Sequence, residues 1–472
     1  MAPRNVVLVC LDTARKDYFD EHATRLRARA DASFEACRAA SGWSVPSHAS
    51  MMTGRLPHQH GIHVYNRDFS GLDRSDTFLG DLPDHTAVGT SANVYASDAF
   101  GFDGLFDDFV SVSPDRRFPD GMDVERWGQE CDAEGIDRYV AFLRSALAHE
   151  RPLRSLANGV LVEIDDRLAE LPIPKLLDDG ARIVAREALR QAERTPEPFV
   201  MFTNFMDVHA PLAHVRGYDR DLHDAPLSWT TGAYNTHEVN VGDPDDYATE
   251  LAYTRGLYAA ATDYVDRRVA TFVDRLQEAT DRETTVVVTS DHGENLGFDA
   301  DGGLVAHKGV LTEGLLHVPL EVLNAPDDAA HAGSVDRYVS HLRLGELVAG
   351  LGEGRLPDVT ADRIPAERIG SNMAGNATEA ERAEWDRMIR VVYDGDVKYE
   401  WDSEGDRSRY RLDPDRPNWQ ERLDDDVPVE EYEPAFFDEP LAAYKRRALA
   451  ERRGDREVDD ATASRLADLG YV

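Results

Sequence analysis

The feature that most constrains this chain is a repeated format: a short, unbroken apolar run that stops abruptly at polar, reactive residues. Asn5 to Leu11 is such a run and ends at Asp12. Thr86 to Ala92 leads to Asn93, and Pro198 to Met206 leads to Asp207 and His209. The β-branched run Thr284 to Thr289 leads to Ser290-Asp291-His292-Gly293-Glu294-Asn295, and Val318 to Leu323 is a fifth run. Runs of this length without alternation are buried on both faces, as in a parallel sheet between layers of helix. The helical patterns of Tyr247 to Ala279 and of Val140, Phe142, Leu143, Ala146 and Leu147 supply such layers. The predicted class is therefore α/β, a doubly wound sheet flanked by helices. Ligands of such sheets gather at the carboxyl ends of the strands. Asp12, Thr90, Asn93, His209, Asp291 and His292 all stand at those ends.

One more stretch belongs with these, Ser41-Gly-Trp-Ser-Val-Pro-Ser-His-Ala-Ser-Met-Met-Thr-Gly54. It reads as a helix with Pro46 in its first turn and Gly54 at its end. Ser44 then lies at a helix N-terminus, where free N–H groups and the macrodipole favour an anion. The same residues also suit an ordinary Ser/Pro cap, and Asp12 suits a cap on the next helix. His58, His60 and His63 in the following loop read as surface residues.

With 472 residues the chain has room for a large core. Residues 1–355 read as one α/β domain, with a helical insertion at about 122–195 that shapes the entrance to a site. Residues 356–472 read as a smaller α+β subdomain, in which Val391 to Trp401 alternates like an antiparallel strand. The net charge of −37 is spread along the chain, and only five of the cations are lysines. A solvated acidic surface of this kind resembles the proteins of halophilic archaea, where salt screens self-repulsion. It excludes nucleic acid as the main partner, since no basic stripe exists to neutralise phosphates. Cys10, Cys37 and Cys131 have no metal or disulfide spacing. No signal segment or membrane span is evident, so a cytoplasmic location is the expectation. The oligomeric state is not legible.

Asp12, Asp291 and His292 are hard or borderline donors suited to one divalent cation. With Ser44 as a further ligand, that cation would lower the hydroxyl pKa and hold its oxygen for attack. His48, His209 and Lys308 would neutralise a tetrahedral oxyanion or protonate a leaving alcohol.

The order of these motifs resembles that of the sulfatase family within the alkaline phosphatase superfamily. Asn5-Val-Val-Leu-Val-Cys-Leu-Asp12 resembles its first metal-ligand strand. Ser44-Val-Pro-Ser-His48, running on to Thr53-Gly54, resembles its nucleophile motif, in which cysteine or serine precedes x-Pro-Ser-Arg. Val208-His209-Ala-Pro211 resembles the segment with the substrate-binding histidine, and Thr289-Ser-Asp291-His292-Gly-Glu294 the second metal strand. His307-Lys308-Gly309, Glu313 and Val318-Pro319-Leu320 resemble the lysine loop and the strand after it. Asn66 matches an active-site asparagine of some members, and the ending Leu-Gly-Tyr is common among them.

The resemblance implies an alkaline-phosphatase-like mixed sheet and a hydrolase of sulfate esters on small molecules or glycans. The metal is then Asp12, Ser44, Asp291 and His292 bound to Ca²⁺ or Mg²⁺, with Ser44 converted to formylglycine. Asn66, Thr90 and Asn93 would contact substrate. Two departures weigh on this. Thr13 stands where the family has a second aspartate, and His48 replaces the arginine that forms part of the conversion signal. An unmodified Ser44 suits a phosphomonoester or phosphodiester hydrolase, or a phospho-group transferase, with Mn²⁺ or Zn²⁺. A catalytically inactive binding module of the same fold is the third reading.

Overall fold

The computed structural model describes residues 2–114, 116–131, 133–169, 171, 173–326, 333–371, 385–450 and 458–469. Ten strands belong to the first part of the chain: β1 Asn5–Leu11, β2 Ala30–Arg38, β3 Thr86–Ser91, β4 Asp108–Ser111, β5 Phe199–Phe205, β6 Thr284–Thr289, β7 Asn295–Leu296, β8 Val305–Ala306, β9 Leu320–Leu323 and β10 Gly333–Ser340. Eight of them form one sheet in the order β10-β2-β9-β6-β1-β5-β3-β4, while β7 and β8 pair as a small hairpin. β1 runs parallel to both β5 and β6, and β3 parallel to β5 and β4. β9 is antiparallel to both β2 and β6, which makes the sheet mixed. The parallel strands therefore deliver their carboxyl ends to one edge. Register brings Cys10 opposite Asn204 on one side and Thr289 on the other.

Period-two geometry divides β1 between two cores. Val6, Leu8 and Cys10 join one cluster with Trp43, Val45, Met51 and Leu347, whereas Val7, Val9 and Leu11 join another with Phe272, Val184 and Leu257. The long helix Ala248–Ala279 lies over the second face beside the helix Ala181–Ala192. The helix Ala181–Ala192 also packs on β3 and β5, so this end of the expected insertion is part of the helical layer. Helices Val124–Glu130, Gly135–Ala148 and Pro152–Ala169 pack mainly on one another.

The later residues add an antiparallel sheet of β11 Arg363–Arg368, β12 Ile389–Asp394, β13 Val397–Asp402, β14 Arg407–Leu412 and β15 Gln420–Asp424. The alternation from Val391 to Trp401 is thus two strands and not one. Asp394 pairs with Val397 across a two-residue turn, Gly395-Asp396, with Gly395 at φ +57°. Paired residues an odd number of positions apart share a face, so the in–out parity shifts at this turn; β12 is buried almost throughout, which hides the shift in the hydrophobic pattern.

Buried acids fasten this sheet to the first. Glu313 takes an ion pair from Arg38 at 2.9 Å, a hydrogen bond from the Tyr393 hydroxyl at 2.5 Å, and faces the Lys398 ammonium at 3.6 Å. Glu367 on β11 accepts from Arg390 Nε at 2.8 Å and meets His58 Nδ1 at 2.8 Å. This overturns the expectation of surface histidines. His58 and His63 are buried beneath the second sheet, and His63 Nε2 meets the Tyr444 hydroxyl at 3.1 Å. His60 is half-buried against the Ser50 hydroxyl at 3.1 Å. No helix among the described residues is long and apolar enough to cross a membrane.

Arg390 and Glu367 are both fully buried, whereas Arg363 and Asp394 form a partly exposed pair at 2.7 Å. Arg390→Met should cost about 3–5 kcal/mol, because it strands a buried carboxylate. Arg363→Met should cost under about 1 kcal/mol. Urea denaturation of the two variants beside wild type measures the difference.

Candidate active site

β1 ends at a tight turn. Thr13 has φ +61°, its N–H donates to Asp291 Oδ1 at 3.2 Å, and its hydroxyl donates to the Asp12 carbonyl at 2.7 Å. The Tyr258 hydroxyl holds the Thr13 carbonyl at 2.5 Å, and Ala14 N–H donates to Ser290 Oγ at 2.8 Å. The turns after β1 and β6 are thereby strapped together. Gly293 allows the fit, since a Cβ there would lie 2.1 Å from the Gly314 carbonyl oxygen.

These turns set two fully buried carboxylates side by side. Asp12 Oδ2 accepts from the Asn93 amide at 2.6 Å and the Asn204 amide at 3.0 Å. Asp291 Oδ1 accepts from the backbone of Thr13 and, at 2.9 Å, of His292. The other oxygens, Asp12 Oδ1 and Asp291 Oδ2, have no hydrogen-bond partner among the described residues. Burial pushes the Asp291 carboxyl above its ordinary range, with the His48 charge opposing. Asp12, His48 and Asp291 each bring a donor atom to within 4.8 Å of the others. Two orphaned carboxylate oxygens in a dry pocket need a cation, so these residues fit a bound divalent ion.

Ser44 opens the helix Ser44–Thr53, which ends at Gly54 with φ +66°. Its Oγ lies 3.3 Å from His292 Nε2, which is itself 3.4 Å from Asp291 Oδ2. His292 donates through Nδ1 to the Gly293 carbonyl at 2.7 Å, which leaves the Nε2 lone pair facing Ser44. Burial pushes its pKa down to about 3, so the ring is neutral at ordinary pH. His48 donates from Nδ1 to the Ser44 carbonyl at 2.8 Å, with Asp291 Oδ2 at 3.6 Å, and its Nε2 faces the Asn204 amide at 3.3 Å. Its ring packs edge-on against Phe102 and Phe202.

A row of imidazoles leads outward from there. The ring centroids of His292 and His307 are 4.8 Å apart, and those of His307 and His209 are 5.3 Å apart. His307 Nδ1 meets Glu294 at 3.2 Å, and His209 Nδ1 bonds the Ala210 carbonyl. Lys308 is half-buried; burial lowers its pKa and the Glu294 charge opposes this. Asp12, Ser44, His48, Asp291, His292 and Asn93 therefore converge, with His209 beside them. Asn93 lies in the cluster with its amide on Asp12, and Asn204 joins it from β5. Thr90 and Asn66 are engaged elsewhere: Thr90 donates to Gln191 at 2.6 Å and Asn66 to the Gly61 carbonyl at 2.8 Å. Sequence reading missed Asn204, whose only signal is an amide near the end of an otherwise apolar strand. It named His307 only as the residue before Lys308 and gave it no role, since it lies in a loop without periodicity.

Two buried carboxylates and an imidazole that could hold an ion lie at the carboxyl edge of a mixed sheet, beside a helix-borne hydroxyl. The sequence matches the Sulfatase family over residues 4–353, and the chain belongs to that family. It is 24% identical over 193 residues to the uncharacterized sulfatase YidJ of Escherichia coli, a match covering 39% of this chain and 37% of that protein. In fold it is similar to the phosphonate monoester hydrolase of Agrobacterium radiobacter, with a TM-score of 0.61, 17% identity, and 95% and 96% of the two chains covered. The phosphonate monoester hydrolase of Silicibacter pomeroyi gives 0.58 at 15% identity, with 95% of each chain covered. A structure of BT4656 in complex with its substrate D-glucosamine-2-N,6-O-disulfate gives 0.55 at 11% identity, covering 87% and 91%.

Adding Ca²⁺, Mg²⁺ or Mn²⁺ to chelator-treated protein should raise the thermal midpoint. At a hundredfold excess over Kd the gain corresponds to about 2.7 kcal/mol. Asp291→Asn should abolish that gain while leaving the metal-free protein as stable as wild type or more so, since it removes a buried charge. Thermal melts with and without each ion measure both effects.

Proposed function

We propose that the protein hydrolyses esters of a tetrahedral oxyanion, sulfate esters first, with Ser44 or its formylglycine form as the attacking group. The observation that carries this is the position of the Ser44 hydroxyl. It lies 3.3 Å from a neutral imidazole nitrogen at a helix start, beside two buried carboxylate oxygens with no partner among the described residues. Asp12, Ser44, Asp291 and His292 are the residues that would hold the divalent cation. When bound, such an ion lowers the pKa of the attacking hydroxyl and offsets charge on the ester.

The chain's own groups do the remaining work. Asn93 and Asn204 aim the Asp12 carboxylate by donating two hydrogen bonds to one of its oxygens. His48 ties the Ser44 turn to Asn204 and Asp291, so we assign it positioning more than proton transfer. His209 and Lys308 bind the ester's outer oxygens. Lys308, whose pKa is lowered by burial beside the Glu294 charge, is the group we assign to return a proton to the departing alcohol.

His48 also supports a second reading. Because the conversion signal lacks its arginine, an unmodified Ser44 acting on phosphate esters is the alternative. There Oγ bonds to phosphorus, the alcohol leaves with a proton, and water then releases phosphate from the serine. The mass of the Ser44 peptide and parallel assays with aryl sulfate, aryl phosphate and bis-aryl phosphate at high salt separate the two. Sulfate turnover with a Ser44 peptide lighter by two hydrogens supports the first, and phosphate turnover with intact serine the second. Ser44→Ala should lower kcat at least about 1,000-fold in either case. Wild-type activity in that variant overturns both, and metal binding without turnover of any ester identifies a binding module.

A further inference from the structure

Beside the cation pocket lies a cavity of about 280 Å³ that the chemistry above does not use. Its walls are immediate neighbours of site residues. Val208 and Ala210 flank His209, Ala306 precedes His307, Glu294 bonds His307, and Tyr258 holds the turn after Asp12. Through Glu294, which lines it and bonds His307, the space adjoins the outer row of imidazoles.

Its chemistry is mostly apolar, with Leu212, Leu296 and Pro211 on one part and Leu469 on another. Most polar groups that line it are already engaged within the protein. The Tyr234 and Thr254 hydroxyls meet at 3.2 Å, and Thr231 Oγ1 accepts from Leu212 N–H at 2.8 Å. Asn295 differs. It is buried, its Oδ1 takes the Thr312 hydroxyl at 2.5 Å, and its Nδ2 has no partner among the described residues. An apolar space of one-ring size with a buried spare amide donor at Asn295 matches an aryl group carrying one oxygen, and a many-hydroxyl sugar would leave most of its own donors unpaired there.

Leu469 comes from far away in sequence. The helix Asp460–Asp468 lies against the carboxyl ends of β3 and β4, where Arg465 donates to the Ala92 carbonyl at 2.6 Å and the Val112 carbonyl at 3.1 Å. Leu469 then packs against both hydrophobic cores and closes one side of the cavity.

Resting on the ester-hydrolase reading, we propose that this cavity is the leaving-group subsite, that it selects an aryl or similarly flat apolar alcohol, and that Leu469 is a specificity-determining residue. The test compares phenyl and methyl esters of whichever anion the wild-type protein turns over. Thr236, on the rim at the start of the helix Thr236–Val241, is replaced by tryptophan to fill the space. Thr236→Trp should lower the phenyl-to-methyl ratio of kcat/KM about tenfold, mainly through KM, and Leu469→Ala should shift preference from phenyl towards naphthyl esters. An unchanged ratio in Thr236→Trp, at an unchanged thermal midpoint, overturns the proposal. Binding of 2-naphthol, followed by its fluorescence, is measured in parallel. If no ester is turned over, the hydrolase reading fails by itself. Naphthol binding that is lost in Thr236→Trp then upholds the subsite, and no binding to wild type overturns it.

Discussion

Everything at the carboxyl edge of the sheet depends on one electrostatic problem, two ionisable carboxyl groups held side by side out of water. Asp12 and Asp291 spend one oxygen each on amide and backbone donors and leave the other bare. Two anions so placed repel each other, and the side chain that stands with them is the His48 imidazole. The surroundings are shaped to keep them there nonetheless. The Thr13 turn is held by Tyr258 and Asp291, the Gly293 turn closes on the Gly314 carbonyl, and Asn93 and Asn204 brace Asp12 from neighbouring strands. Such rigid backbone around two close carboxylates suits a group that could hold an ion.

The sequence made the strand ends readable because burial on both faces leaves a plain mark: β1, β5 and β6 are buried throughout and mostly apolar or β-branched, so the charged residues and imidazoles after each stand out. The edge of the sheet was less readable. β2 mixes Asp31, Ser33 and Glu35 with Phe34 and Cys37, and β10 is largely exposed, so neither shows a continuous apolar run. Direction along a strand also misled. Thr90 and Asn93 both belong to the end of β3, yet Thr90 faces the helix Ala181–Ala192 through Gln191, and only Asn93 reaches Asp12. Loops carry no period at all, which is why Asn66 could be placed beside the chemistry by motif and is found bonding its own loop at Gly61. His307 shows the converse, a residue whose importance rests on what the fold stacks against it.

The family likeness and the departures from it meet at position 48. A histidine there is shorter than the arginine of the motif and cannot reach across the pocket with a fork of donors. The structure gives it another set of bonds, to the Ser44 carbonyl, to Asn204 and towards Asp291, within an aromatic wall of Phe102 and Phe202. The replacement is integrated into the surrounding network. Thr13 is similar, since its hydroxyl closes the turn it stands on where the family has a second carboxylate.

The order of strands has a kinetic consequence. β1 lies between β5 and β6, partners that follow it by roughly two hundred and three hundred residues of chain, and the Thr13–Asp291 hydrogen bond spans a separation of 278. β1 is made before both partners and waits, largely apolar and unpaired on both edges, until β5 and β6 exist. Closure of loops that long is slow, and exposed strand edges invite association with other chains in the meantime. The net charge of −37 on the chain as a whole keeps waiting chains apart, so the acidity that burdens the finished fold protects its assembly.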